Sequence, residues 1–251
     1  MGPNPFAAVA EFWSPLAMKV YIVVMIVAVI AGTLLDIAHK GSAKYFAQRR
    51  EKSRTAASNR LGGGTAFSLA IATAAEAAVS GEFDKWPRRV AHLLTMYGFV
   101  INVVSTLLMV FVYASAPQTP PIVPALWMLG ALMVLVGGLW FFFFLRANVA
   151  HDGDSPFHLG RADLFVGSLI ASMAAALAWH FVQAGYPGST AAYVSFGLYL
   201  CFTTLLFVTV RWSKFAHMFF KPAVAYQRRV EEASGSSDLP SPSTENFIVR
   251  G

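Results

Sequence analysis

Six histidines are the side chains with the most chemistry to offer, and membrane depth sorts them. A transmembrane haem b takes its two axial imidazoles from different helices, so both must sit at one depth. His92 follows Arg89 by three residues, about one turn into an apolar segment. His217 lies six residues past Arg211, in a stretch (Trp212, Phe215, Ala216, Met218, Phe219, Phe220) apolar enough to continue a helix at the interface, with Arg211 and Lys214 snorkelling. His39 ends a helix in a basic context. His151 and His158 sit in a polar loop with Asp152, Asp154 and Pro156, where solvation is the ordinary fate. His180 stands alone towards the other face. One haem, held by His92 and His217, is therefore open to this chain, whereas an outer haem with two histidine ligands is not. The competing reading makes His92 and His217 interfacial side chains reaching for headgroups. The lone cysteine, Cys201, excludes an internal disulfide and an iron–sulfur cluster held by this chain alone.

The elements that must position these imidazoles are membrane helices. The chain is 56% hydrophobic and only 13% charged, about half the charge of a soluble domain. Five segments reach the roughly 20 apolar residues that a span needs. They are residues 17–38, 90–115, 122–145, 164–183 and 191–210. The link from Lys40 to Arg89 is rich in Lys and Arg, Arg146 and Arg161 bracket another, and Arg211, Lys214, Lys221, Arg228 and Arg229 follow the fifth span. The links at 117–121 and 184–190 carry no charge. Every basic link thus falls on one side, which the positive-inside rule makes cytoplasmic. The fold class expected is all-α: an integral membrane bundle of five transmembrane helices, N-terminus outside and C-terminus cytoplasmic. The first helix reads as an uncleaved membrane signal. The +6 formal charge follows from topology, and no nucleic-acid-binding module is visible.

The domain reading runs as an external segment over 1–16, a membrane domain over 17–212 with a basic cytoplasmic loop and surface helix at 40–88, an interfacial helix over 213–230, and a disordered or partner-docking tail over 231–251. Thr65 to Ser80 is apolar and Ala-rich but short, and it contains Glu76. As a sixth span it would invert every later loop, so it reads as a helix on the cytoplasmic surface or against a partner. Residues 40–60 read as a basic helical extension of the first span. The fourth span is rich in small residues, from Gly167 to Ala176, which suits tight helix packing. The tail ends in an apolar Phe247-Ile248-Val249, which suits a docking peptide. Lys44, Arg49 and Arg50 join Phe247 and Ile248 as candidate docking residues for an acidic partner face.

Arg88-Arg89-Val90-Ala91-His92-Leu93-Leu94 and Lys214-Phe215-Ala216-His217-Met218-Phe219-Phe220-Lys221-Pro222 resemble the nitrate-reductase gamma-subunit-like cytochromes b. That resemblance implies five spans with an external N-terminus and two haems b, with paired ligands on the second and fifth spans. His92 and His217 match the pair nearer the cytoplasm. The positions matching the outer pair hold Asn102 and Tyr199, neither a usual ligand, so the resemblance carried over residue by residue implies one haem b. Gly32 to Lys40, Ser42 to Phe46, Ser80-Gly81-Glu82-Phe83 and His92 to Phe99 are further similar to the membrane-anchor subunits of dissimilatory adenylylsulfate reductases. This implies cytoplasmic flavin and iron–sulfur redox partners, a quinone pool and a bacterial inner membrane.

The expected function is membrane anchorage and electron transfer between such a partner and quinone, through one inner-side haem b. A quinone pocket near the haem would draw on His39, Asp36, Tyr97 and Arg88, because quinone reduction needs protons near the electron donor. The alternative is a haem-free scaffold for the same kind of complex. A channel or transporter is remote. It calls for charges or broken helices at mid-membrane, where only Asn102, Ser105, Ser172, Thr203 and Thr204 are polar. An intramembrane protease lacks a nucleophile–base pair at one depth.

Overall fold

A computed structural model describes residues 4–40, 42–59, 61–80, 85–114, 118–145, 163–212 and 217–237. The described residues are helical throughout: α1 (Pro5–Ala8), α2 (Pro15–Lys40), α3 (Ser42–Ala56), α4 (Gly63–Ala78), α5 (Trp86–Leu107), α6 (Ile122–Trp140), α7 (Asp163–Gly185), α8 (Thr190–Val208) and α9 (His217–Ser234). Wider π turns extend α5 over Leu108–Val112 and α6 over Phe141–Leu145, and a 3-10 turn follows α8 over Thr209–Trp212. Five helices are long and apolar enough to cross a membrane, matching the five segments read from sequence. The protein is a multi-pass helical membrane protein.

The chain divides into two compact units. One comprises residues 1–36 and 80–215, the other residues 37–79 and 216–251. In the first unit, glycine governs how closely α5 and α6 approach. A methyl group on Gly130 would lie 2.7 Å from the Asn102 amide nitrogen and the Gly98 carbonyl oxygen. One on Gly137 would lie 2.7 Å from Thr95 Oγ1 and 2.8 Å from the Ala91 carbonyl oxygen. Backbone contact of this kind is how helices associate where burial from water supplies no drive. The fourth span, α7, buries Ser168, Ser172 and Ala176, but a methyl on Gly167 would meet nothing within 4 Å. The tightest seam is therefore between the second and third spans rather than along the fourth.

Asn102 clasps the same pair. Its Nδ2 donates to the Trp127 carbonyl at 3.0 Å, and Trp127 Nε1 donates to Thr106 Oγ1 at 3.0 Å. Tyr186-Pro187-Gly188-Ser189 links α7 to α8 in a tight turn. Gly188 takes a φ of +69°, and the Ser189 amide closes on the Tyr186 carbonyl at 3.3 Å. Ser189 then caps α8 by accepting from the Ala192 amide.

From Asn4 onward, the N-terminal segment packs into this unit's core. Asn4 is fully buried. Its Oδ1 accepts from the Phe6 and Ala7 amides, while its Nδ2 donates to the carbonyls of Met109 and Tyr113 and to Thr119 Oγ1. Phe6 packs among Trp127, Trp179 and Tyr199, with ring centroids 5.2–6.4 Å away. By contrast α2 exposes most of its length to its surroundings, including Leu16, Val23, Val27, Ile30 and Leu34. Tyr21 ties it to α8, with its hydroxyl 3.2 Å from the Leu200 carbonyl and 3.0 Å from Thr204 Oγ1.

In the second unit, α9 packs against α3 and α4. Arg49 grips Glu231 with two parallel bonds, Nε to Oε1 at 3.0 Å and Nη2 to Oε2 at 2.8 Å, and Gln227 Nε2 donates to the same carboxylate at 3.1 Å. Arg229 donates to Thr73 Oγ1 and pairs with Glu76. The helix ends in a glycine stop: Gly235 at φ +70°, with the Ser236 amide returning to the Glu231 carbonyl at 2.9 Å. Ser53 and Ser236 hydroxyls meet at 2.8 Å, and the Ser58 amide donates to the Ser234 carbonyl. The segment from Glu231, read as tail, is thus ordered packing as far as Ser236, and the physical reason is this capped helix end. Residues 238–251, with Phe247 and Ile248, lie outside the described residues.

Candidate functional site

The first turn of α5 opens on Trp86-Pro87, where proline loses no helical bond. Trp86 meets Trp140 edge-on at 6.2 Å, an aromatic pair at one end of the bundle. Arg88 is exposed and its guanidinium donates to the Leu145 carbonyl at 3.4 Å, closing the end of the third span. His92 lies six positions beyond Trp86, roughly 9 Å along the axis.

His92 is half-buried, and its Nδ1 lies 2.8 Å from Ser80 Oγ. Ser80 itself is 2% exposed and holds a φ of +51°, the left-handed region that a residue with a β-carbon enters at a cost of roughly 1–3 kcal/mol. The strain aims the hydroxyl inward at the ring. A partner at Nδ1 is what orients an imidazole that ligates through Nε2. Sequence reasoning quoted Ser80 without giving it a role. The sequence offers there only the dipeptide Ser80-Gly81, a turn signal that says nothing of His92.

His217 opens α9, and its side chain lies outside the described residues. The α-helix of the fifth span stops at Val208, a 3-10 turn carries the chain to Trp212, and the next described helix begins at His217. His151 and His158 also lie outside the described residues.

Asn102 and Tyr199, which match the outer ligand positions, are both committed to packing. Asn102 bonds Trp127, and Tyr199 stacks on Trp179 at 5.6 Å and 14°. His180 is buried with its ring 6.1 Å from Trp127. Among the described residues, its Nδ1, Gln183 Oε1 and Trp179 Nε1 are buried polar atoms without a hydrogen-bond partner.

Of the four residues proposed for a quinone pocket, Asp36, Arg88 and Tyr97 belong to the first unit and His39 to the second. Asp36 is buried, 6% exposed, near the end of α2, and His39 is exposed on its last turn. Tyr97 is 42% exposed on α5, nine positions or roughly 13 Å along the axis from Arg88. Among the docking candidates, Lys44 and Arg50 are exposed. Arg49 is spent on Glu231, whose carboxylate raises the guanidinium's affinity for its proton. No group of three His, Cys, Asp or Glu poised for a metal ion occurs among the described residues.

Compared with protein-family models, with curated proteins and with solved structures, the chain finds no match.

Proposed function

We propose that this protein is the membrane anchor and electron-transfer subunit of an oxidoreductase complex, joining a cytoplasmic flavin and iron–sulfur partner to the quinone pool of a bacterial inner membrane. The distribution of Lys and Arg supports an N-terminus outside and a C-terminus inside. A single haem b is held by His92 and His217. The observation that carries this reading is the Ser80 hydroxyl at His92 Nδ1, an orienting contact of the kind an axial imidazole needs. A haem b at this site supplies one-electron transfer. The chain's own part is to fix the His92 ring through Ser80 and to close the surrounding helix end through Arg88 and the Trp86–Trp140 pair. The resemblance to adenylylsulfate reductase anchors supports a partner of that kind, and Lys44 and Arg50 offer it positive charge.

The test is a reduced-minus-oxidised spectrum of protein purified in mild detergent. A b-type band is expected; His92→Ala and His217→Ala should each abolish it, while Ser80→Ala keeps the band with a shifted maximum. A haem-free scaffold is the second reading, favoured by the commitment of Asn102 and Tyr199 to packing. Absence of the band in intact, partner-bound protein would establish it. Either reading keeps the five-helix anchor.

A further inference from the structure

Helix α4 is apolar on two faces, and only one of them is covered. Its inward stripe of Ala66, Leu69, Thr73 and Ala77 packs towards α9. The opposite stripe of Phe67, Ile71, Ala74 and Ala78 is exposed, with Phe67 68% and Ile71 54% accessible. The helix carries one formal charge, Glu76, which is neutralised by Arg229. It is too short to rank among the membrane-crossing helices. An exposed apolar stripe on a helix of this kind has no reason to face water.

Chain continuity says what covers it. Val79 ends α4, and the next residue, Ser80, is buried against His92 of α5. His92 lies inward of the Trp86–Trp140 pair, which marks the interfacial layer. The carboxyl end of α4 is therefore one residue from a side-chain contact with the second span. On the amino side, a single residue separates α3 from the first span, and α3 exposes Lys44, Arg50 and Arg54. Exposed basic residues directly beyond a span suit anionic headgroups.

We propose that α4 is an interfacial helix whose Phe67–Ile71–Ala74–Ala78 stripe is seated in the headgroup and upper acyl layer of an anionic bilayer. Its occupant is lipid, not the soluble partner. The inference does not depend on haem, since it rests on α4, Ser80 and the helix ends alone.

The experiment uses the full chain in nanodiscs of phosphatidylethanolamine and phosphatidylglycerol, with Cys201→Ser as background. Nitroxides are attached at Phe67→Cys, Ile71→Cys and Ala74→Cys, and at Glu51→Cys as an aqueous reference. The three stripe sites should favour oxygen over a water-soluble nickel chelate by roughly tenfold relative to position 51. Unmodified protein in nanodiscs carrying diazirine lipid should acquire adducts within residues 67–79 as well as in the spans. The proposal is overturned if the stripe sites prefer nickel, if adducts appear in the spans but not in 67–79, or if shielding arises only when the soluble redox partner is added.

Discussion

Replacing Gly130 with alanine should loosen the bundle, and replacing Gly167 with alanine should tighten it. Alanine is the better helix former by about 1 kcal/mol at either position. At Gly130 the new methyl would sit 2.7 Å from two backbone atoms of α5. Ordinary contact begins at 3.4 Å, so α5 and α6 must part by about 0.7 Å, enough to forfeit a quarter to a half of each dispersion contact along the seam. The Asn102–Trp127 bond crosses the same gap and lengthens with it. Overpacking costs about 1–3 kcal/mol and the weakened bond up to about 1 more, so the net destabilisation after the propensity gain is about 2 kcal/mol. At Gly167 nothing lies within 4 Å of the added methyl, and the propensity gain stands alone at up to about 1 kcal/mol. Reversible unfolding in mixed micelles, titrated with a denaturing detergent, reads both variants against the parent. Equal or higher stability for Gly130→Ala, or a loss at Gly167→Ala as large as at Gly130→Ala, would refute the seam argument.

Arg49→Met should cost about 2 kcal/mol in α3–α9 docking. It strands a carboxylate whose side chain is 5% exposed, and the figure is discounted because Arg49 is itself 38% exposed. A double-mutant cycle with Glu231→Gln, read by hydrogen exchange of α9, should recover most of that loss; additivity would rule out the pair. Glu231 raises the Arg49 pKa, so this stabilisation is fully present below the unfolded guanidinium value and fades only above it. Exchange protection of α9 should therefore hold between about pH 7 and pH 10. Phe6→Ala should cost about 3 kcal/mol and move the emission of the tryptophans it touches, Trp127 and Trp179. Unchanged emission would mean that α1 does not fill the aromatic cluster. Ser80→Gly should be more stable than Ser80→Ala by about 1 kcal/mol, because both lose the His92 contact and only glycine relieves the left-handed backbone. Equal melting temperatures would contradict that account.

What could be read from the sequence was whatever a single segment encodes by itself. The spans are legible because length and unbroken apolarity suffice. The apolar 65–80 stretch reads as outside the spans because a crossing there would invert every later loop and because it is short and holds Glu76, which pairs with Arg229. The helical nature of 42–56 follows from its composition. Long-range pairings were out of reach. Nothing in the neighbourhood of Arg49 announces its bond to Glu231, 182 positions away. The end of α9 was misplaced although its stop signal is local: Ser234-Gly235 supplies the left-handed residue that closes the helix, and the Ser- and Pro-rich stretch beyond it drew the boundary too early. The place of His92, about one turn past the Arg pair on the second apolar helix, was legible from Arg88 and Arg89. Its partner was not, because a serine at positive φ is a state that the tertiary structure imposes.

Asn4 also fixes an order of events during synthesis. Its amide waits for the Met109 carbonyl, 105 positions later in the chain. At ordinary translation rates that acceptor is made roughly 5–20 s after Asn4. The N-terminal residues must stay unengaged until then. The plug they form closes only once the second and third spans have been inserted, so the earliest part of the chain to be made is among the last to find its place.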